Sequence, residues 1–259
     1  MAADRGVLIT GASSGIGAAL ARACAQPGTT LHLCGRDAVR LEAVASACRA
    51  LGAAVQPRVL DVRDAAAMAA WIEGAGRLDL VIANAGISAG AGEDWLTAPD
   101  RARAIMATNI EGVLNTALPA LHVMAAQQPG VDGWRGRIGA VASIAAFVAA
   151  PGAAAYCASK AAVDAWTVGT ARTARARGIA MSSICPGYIR TAMTARNQFP
   201  MPGLMDADRA AAIILRGMAA GRVRIAFPWW MALAARLAGL LPPRLAATLL
   251  ATKSNATDL

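Results

Sequence analysis

Short, purely apolar runs alternate with longer alanine-rich stretches along nearly the whole chain, and this alternation narrows the available folds sharply. Leu80-Val81-Ile82-Ala83 carries no polar side chain at all. Such a strand gives neither face to water, so both faces must be covered. Runs rich in Val, Ile and Leu predict strands over Gly6–Thr10, Thr29–Cys34, Ala54–Val59, Leu78–Ala83, Arg137–Ala142, Ile179–Ile184 and Arg222–Phe227. Between them lie predicted helices over Gly15–Ala25, Ala38–Leu51, Ala65–Ala75, Pro99–Ala126, Ala155–Arg177 and Asp206–Ala220. This order implies right-handed βαβ units, and hence an α/β fold: a doubly wound sheet of about seven parallel strands with helices on both faces. No repeat, linker or break in composition divides the 259 residues, so one domain over 1–259 is expected.

Composition excludes several classes. With 56% hydrophobic and 16% charged residues, the chain is too apolar and too weakly charged to stay disordered. The formal charge is +9, yet only Lys160 and Lys253 among the 25 basic residues are lysine, and alanine supplies about a quarter of the chain. A coding bias toward Ala and Arg gives the same balance as selection for an anionic ligand or partner. The arginines are scattered without interleaved aromatics, so no nucleic-acid partner is expected. Five cysteines at 24, 34, 48, 157 and 185 form no CxxC pair and have no histidine at ligand spacing. That pattern fits a reducing, cytoplasmic setting and no metal site. Met1 to Arg5 runs straight into the first predicted strand, with no secretory leader expected.

The first strand ends in Thr10-Gly11-Ala12-Ser13-Ser14-Gly15-Ile16-Gly17 and enters a helix. Glycines 11, 15 and 17 permit a tight turn and close backbone approach, and the helix start offers unpaired N–H groups. Gly11, Ser13, Ser14, Gly15, Ile16 and Gly17 are therefore candidate dinucleotide-binding residues, and the sheet is expected to be Rossmann-like. In such sheets ligands bind outside the strand carboxyl ends, where strand order reverses. The second strand ends at Gly35-Arg36-Asp37. Where an acid would hold the ribose 2′-hydroxyl of NAD stands Gly35, and Arg36 follows with a fork suited to a 2′-phosphate. NADP(H) is accordingly favoured over NAD(H). Asp37 is assigned to capping the next helix.

Ser143 follows a predicted strand, and Tyr156 and Lys160 share one helical face at i, i+4. With these residues in place the chain resembles the short-chain dehydrogenase/reductase family, from about Val7 to Thr191. Thr10–Gly17 resembles the family's TGxxxGxG loop, and Asp61-Val62 its adenine-contacting motif. Asn84-Ala85-Gly86 is similar to its NAG segment, although Ala83 replaces a common first Asn. Ala142 likewise stands where a second Ser is common. Asn109, followed by Gly112, stands in the helix-Asn position. Ser143, Tyr156 and Lys160 match the catalytic residues, and Pro186, Gly187, Ile189 and Thr191 fall in the segment that closes on the nicotinamide. The GxxxGxG spacing also sets the loop apart from the GxxGxxG of longer sugar epimerases.

The chemistry implied is hydride transfer between a nicotinamide and a carbonyl or alcohol. Tyr156 is the expected acid and base, its phenol pKa lowered by the nearby Lys160 cation. The resemblance implies that Lys160 also binds the nicotinamide ribose, that Ser143 polarises the substrate oxygen, and that Asn109 positions a relay water. It further implies a homodimer or homotetramer through the helices near 99–126 and 155–177.

The segment 192–210 is irregular, Pro-rich and apolar, and is expected to be a substrate lid over a hydrophobic pocket. The tail 228–259 holds Trp229 and Trp230 but few charges. Its apolar stretch before Pro242 is about half of the ~20 residues needed to span a bilayer. Three placements are open: over the cleft or an oligomer interface, peripherally on a membrane, or in the core. The substrate is expected to be a hydrophobic ketone, aldehyde or secondary alcohol. The alternatives are a 3-oxoacyl group on a carrier protein or CoA, and an NADP(H)-binding sensor without turnover.

Overall fold

A computed structural model describes residues 5–88, 99–197 and 199–250. Residues 1–4, Gln198 of the expected lid, and 251–259 of the expected tail with Lys253 lie outside them. The strands are β1 Arg5–Thr10, β2 Thr29–Gly35, β3 Ala54–Val59, β4 Leu80–Ala83, β5 Gly136–Val141, β6 Ile179–Pro186, β7 Ile189–Arg190, β8 Met205–Asp206 and β9 Arg224–Phe227. The helices are α1 Gly15–Cys24, α2 Ala38–Ala50, α3 Ala65–Glu73, α4 Pro99–Met106, α5 Gly112–Ala126, α6 Ala154–Arg175, α7 Ala207–Ala219, α8 Trp229–Gly239 and α9 Pro243–Leu250.

Seven strands form one all-parallel sheet in the order β3-β2-β1-β4-β5-β6-β9. The expected doubly wound α/β sheet is what the chain forms. Alternation along β1 shows why both faces are covered. Val7 and Ile9 pack with α1, α2 and α7, whereas Leu8 points to α3, α5 and α6. Each such fully buried aliphatic side chain stabilises the fold by about 1.5–3 kcal/mol. The strand order reverses between β1 and β4, and a crevice opens there at the carboxyl ends.

Three departures from the sequence reading bear on the cleft. Strand β4 starts at Leu80 because the Gln127 side chain takes both backbone groups of Leu78, accepting from its N–H at 2.7 Å and donating to its carbonyl at 3.0 Å. The predicted helix over 99–126 is split by a π-helical turn, Ala107–Glu111. The Asn109 side chain is held there by Ile87 and Ser159, off the regular helical ladder. The short ladder of β7 with β8 was not expected; it pins both ends of the segment 191–204.

One buried ion pair ties the catalytic-edge helix to the sheet. Asp164 on α6 receives Arg224 of β9 in a fork, Nε at 2.8 Å and Nη2 at 2.7 Å, and the Ser183 hydroxyl of β6 at 2.6 Å. Burial would raise the Asp164 pKa, but the Arg224 and Ser183 hydrogen bonds outweigh it and hold it below the usual carboxylate value. Its stabilising effect is therefore present above the unfolded-state pKa and is lost as pH falls through the folded value. Asp164→Ala should cost about 2–3 kcal/mol in urea unfolding, less than for a fully buried pair because a third of the Arg224 side chain meets solvent. A loss under 0.5 kcal/mol would show that the pair does not anchor α6.

Candidate active site

The carboxyl ends of β1, β2, β4, β5 and β6 surround a cleft of about 820 Å³. Its floor is built by the turn after β1. Gly11 and Gly15 have φ of 64° and 54°, a region that L side chains rarely adopt. A Cβ on Gly11 would lie 2.8 Å from the Ala85 Cα, and one on Gly15 would lie 2.9 Å from the Thr191 Cγ2. Backbone of Ala85 thus comes close on one side of the loop and the Thr191 side chain on the other. Ser14 stands at the N-cap of α1 in extended conformation, and its side chain makes no capping bond. The first-turn N–H groups are left to an anion in the cleft.

The loop is held by the segment after β4. The Asn84 amide donates to the Thr10 carbonyl at 3.0 Å and the Gly11 carbonyl at 3.1 Å. The buried Thr10 hydroxyl in turn accepts from the Asn84 and Ala85 N–H groups at 3.1 and 3.2 Å. Asn84 therefore supplies a cross-strand brace even with Ala83 as its neighbour. Gly17 does not line the cleft. A Cβ there would be 2.3 Å from the Gly11 carbonyl oxygen and 2.6 Å from the Asn84 Nδ2, so this glycine lets α1 pack under the loop.

At the end of β2, Arg36 is exposed on the cleft lip and forms no ion pair among the described residues. Asp37 caps α2, accepting from the Arg40 N–H at 2.9 Å, as expected. Asp61 also lines the cleft, but Arg63 grips its carboxylate at 2.6–3.1 Å. The Arg63 hydrogen bonds, aided by Arg36, keep the Asp61 pKa low. Val62 beside it is buried against Gly112, where a Cβ would come within 2.5 Å of Val62 Cγ2.

The other half of the cleft carries Ser143, Tyr156 and Lys160. Ser143 lies two residues past β5, and its hydroxyl accepts from the Ala145 N–H at 3.1 Å, capping the turn Ile144–Phe147. Tyr156 and Lys160 reach the cleft from the first turns of α6. Burial raises the Tyr156 pKa, while a hydrogen bond with the Ser143 hydroxyl pulls it the other way. The expected lowering by Lys160 is not found. The ammonium lies 5.8 Å from the Tyr156 ring centroid and donates to the Val141 carbonyl at 2.8 Å. Its own charge is disfavoured by burial, and its pKa falls to about 8.

Asn109 is also not a lining residue. It is fully buried, with Oδ1 accepting from the Ile87 N–H at 2.8 Å and Nδ2 donating to the Ile87 carbonyl and the Ser159 hydroxyl, both at 3.0 Å. A Cβ on Gly86 would lie 3.2 Å from Asn109 Oδ1 and 3.3 Å from Lys160 Nζ. The geometry makes Asn109 a clamp that joins the segment after β4 to α6. Both Nδ2 hydrogens are taken, and Oδ1 keeps one acceptor position beyond the Ile87 N–H.

Ser13, Ile16, Ala85, Gly86, Pro186, Gly187, Ile189 and Thr191 also line the cleft. Sequence reasoning assigned no role to Thr10, although it opens the loop motif, and it passed over Tyr188. That phenol is close enough to Tyr156 to raise its pKa, and its ring meets Phe199 edge-on at 5.9 Å. Its place directly after Pro186-Gly187 was the available signal.

The short chain dehydrogenase family model matches residues 5–200. An uncharacterized oxidoreductase of Myxococcus xanthus is 36% identical over 242 residues, 92% of this chain and 93% of that protein. Among solved structures, a short-chain dehydrogenase from Sphingobium yanoikuyae in complex with NADPH has a TM-score of 0.78 at 28% identity, covering 91% of this chain and 94% of that one. A 3-oxoacyl-[acyl-carrier protein] reductase from Brucella melitensis in complex with NAD also has a TM-score of 0.78, at 25% identity, covering 90% of this chain and 99% of that one. Shared motifs, sheet order and near-complete coverage agree: the chain belongs to the short-chain dehydrogenase family of oxidoreductases.

Proposed function

We propose that the chain is an NADP(H)-dependent oxidoreductase that interconverts a carbonyl and a secondary alcohol on a hydrophobic substrate. The observation that carries this reading is the convergence of Ser143, Tyr156 and Lys160 on the cleft that the Gly11–Gly17 loop floors. The loop suits a dinucleotide: glycines at positive φ packed too closely for a side chain, and an N-cap Ser14 side chain that makes no capping bond at the start of α1. The 36%-identical oxidoreductase and the NADPH complex of the Sphingobium protein support the same class.

When bound, the nicotinamide supplies or accepts the hydride. The chain's own residues do the rest. Gly11, Ser13, Ser14, Gly15 and Ile16 would hold the pyrophosphate, Asp61 and Val62 the adenine side, and Asn84, Ala85 and Gly86 the intervening ribose. Pro186, Gly187, Ile189 and Thr191 would close over the nicotinamide end, and Lys160 would bind the ribose next to it. Ser143 would hold the substrate oxygen beside the Tyr156 hydroxyl. Tyr156 donates its proton to that oxygen in reduction and removes it in oxidation. A raised phenol pKa keeps the acid form populated through neutral pH, which favours reduction. Asn109 acts by fixing α6 against the segment after β4.

Three features support the finer points. Arg36 on the lip has its guanidinium available for a 2′-phosphate, and the cleft carboxylates Asp37 and Asp61 are already paired with Arg40 and Arg63. Tyr188 and Phe199 give the loop an aromatic wall, which suits an apolar substrate under a lid over 192–210. All five cysteines are buried, in keeping with a cytoplasmic setting. A 3-oxoacyl thioester is the second reading, favoured by likeness to the Brucella reductase. We also propose a homodimer or homotetramer through α4–α6, where Leu118 is half exposed. Sedimentation showing only monomer at micromolar concentration would remove it.

NADPH consumption with apolar ketones and 3-oxoacyl thioesters should fall at least about 1,000-fold in Tyr156→Phe. Unchanged turnover would end the proposal. Arg36→Ala should raise the KM for NADPH by about 10- to 100-fold while leaving that for NADH nearly unchanged. An equal effect on both would reject the 2′-phosphate role. Lys160 is cationic below about pH 8 and neutral above it, so kcat/KM for reduction should decline as pH rises through that value. Stability should move the opposite way. Between about 8 and the usual 10.5 the unfolded chain binds the proton that the folded chain has released, so this residue favours folding increasingly as pH rises. A flat activity profile from pH 7 to 9 would count against Lys160 as the charged partner.

A further inference from the structure

The C-terminal helices carry an apolar face that the cleft does not use. On α8, Trp229, Leu233 and Leu237 recur every fourth residue and are 73%, 50% and 57% exposed. Leu240, at the end of that helix, is 81% exposed. On α9, Leu245 and Leu249 are again one turn apart and 59% and 65% exposed. Isolated exposed leucines are ordinary, but a periodic run over two successive helices marks an interaction surface. The opposite side of α8 is occupied. Gly239 packs on the Phe147 carbonyl, and Arg236 lies 4.7 Å above the Phe147 ring. Among the described residues, the exposed face therefore has no place in the core.

Charge decides between the candidate occupants. From Arg209 to Leu250 there is no aspartate or glutamate, against six arginines. Only Arg224 of the six is in an ion pair among the described residues. A second copy of so uniformly basic a region would be repelled, whereas an anionic surface would be attracted. No helix among the described residues is long and apolar enough to cross a membrane. An amphipathic pair with Trp at its start, Leu along one face, Arg244 on the second helix and no acidic residue has the composition of an interfacial anchor. We propose that α8 and α9 bind the chain reversibly to the surface of an anionic lipid bilayer. The anchor is coupled to the cleft: the residues around Gly187 include Met231, and those around Gly203 include Trp230. A bilayer-bound α8 would hold the cleft wall and the loop before β8 near the lipid, where an apolar substrate would be concentrated.

Flotation of the full-length protein with phosphatidylcholine vesicles, with and without about 30% phosphatidylglycerol, tests this. Binding is expected to the anionic vesicles alone and to weaken as salt rises. The doubly substituted Leu233→Glu, Leu237→Glu chain should bind at least about tenfold more weakly, with its thermal unfolding midpoint unchanged because both positions are exposed. Leu233→Ala alone, with an intermediate loss, guards against a fold defect in the double variant. Absence of binding by the folded wild type would overturn the proposal. So would equal binding by the double variant, which would mean general basic attraction. Self-association that the double variant abolishes, without vesicle binding, would assign the face to a second copy instead.

Discussion

The side chain of Asn84 bridges the one place in the sheet where strand order reverses, and the cleft depends on that bridge. Its amide donates to the Thr10 and Gly11 carbonyls, while its backbone N–H and that of Ala85 close on the Thr10 hydroxyl. Both strand ends have run out of neighbouring ladder partners there, so their backbone groups need side chains to satisfy them. The bridge fixes how far the glycine loop stands from the segment carrying Gly86. Gly86 in turn sits against Asn109 and Lys160. A chain of short contacts thus runs from the phosphate end of the cleft to its acid–base end.

The acid–base end is held from behind as well. Tyr156 and Lys160 occupy the start of α6, and Asp164, one turn past Lys160, locks the same helix to β6 and β9. Arg224 and Arg236 both lie over Phe147, in the turn that Ser143 caps. Rigid backing matters because proton transfer requires the phenol and the substrate oxygen within hydrogen-bond reach. The electrostatics follow from burial. Lys160 in an apolar setting with one carbonyl partner is a weak ammonium, poised near the pH at which it would act. The expectation that it lowers the Tyr156 pKa treated the two groups as a bare ion pair and left out their shared desolvation.

Much of the site was legible because each part is local. A strand followed by Gly11, Gly15 and Gly17, and the i, i+4 pair of Tyr156 and Lys160, are patterns within a few residues. Asn109 was placed correctly in a helix, but its local setting was not legible. A sequence does not show that the helix widens into a π turn and that the amide is consumed by Ile87 and Ser159. Gly17 looked like a ligand glycine and proved to be a packing one, since its neighbours come from residues 11 and 84.

The sequence alone determined the α/β class, the sheet's parallel strands and the edge at which the chemistry gathers. Those follow from apolar runs, helical periodicity and turn residues, which act over a turn or two of chain. Tertiary structure alone decided the partners that are far apart in sequence. Asp164 with Arg224, Gly112 under Val62, Tyr188 against Phe199 and the outward face of α8 leave no mark in local pattern. Burial and long-range hydrogen bonding are properties of the packed chain, and they set the charge of Lys160 and the placement of the tail.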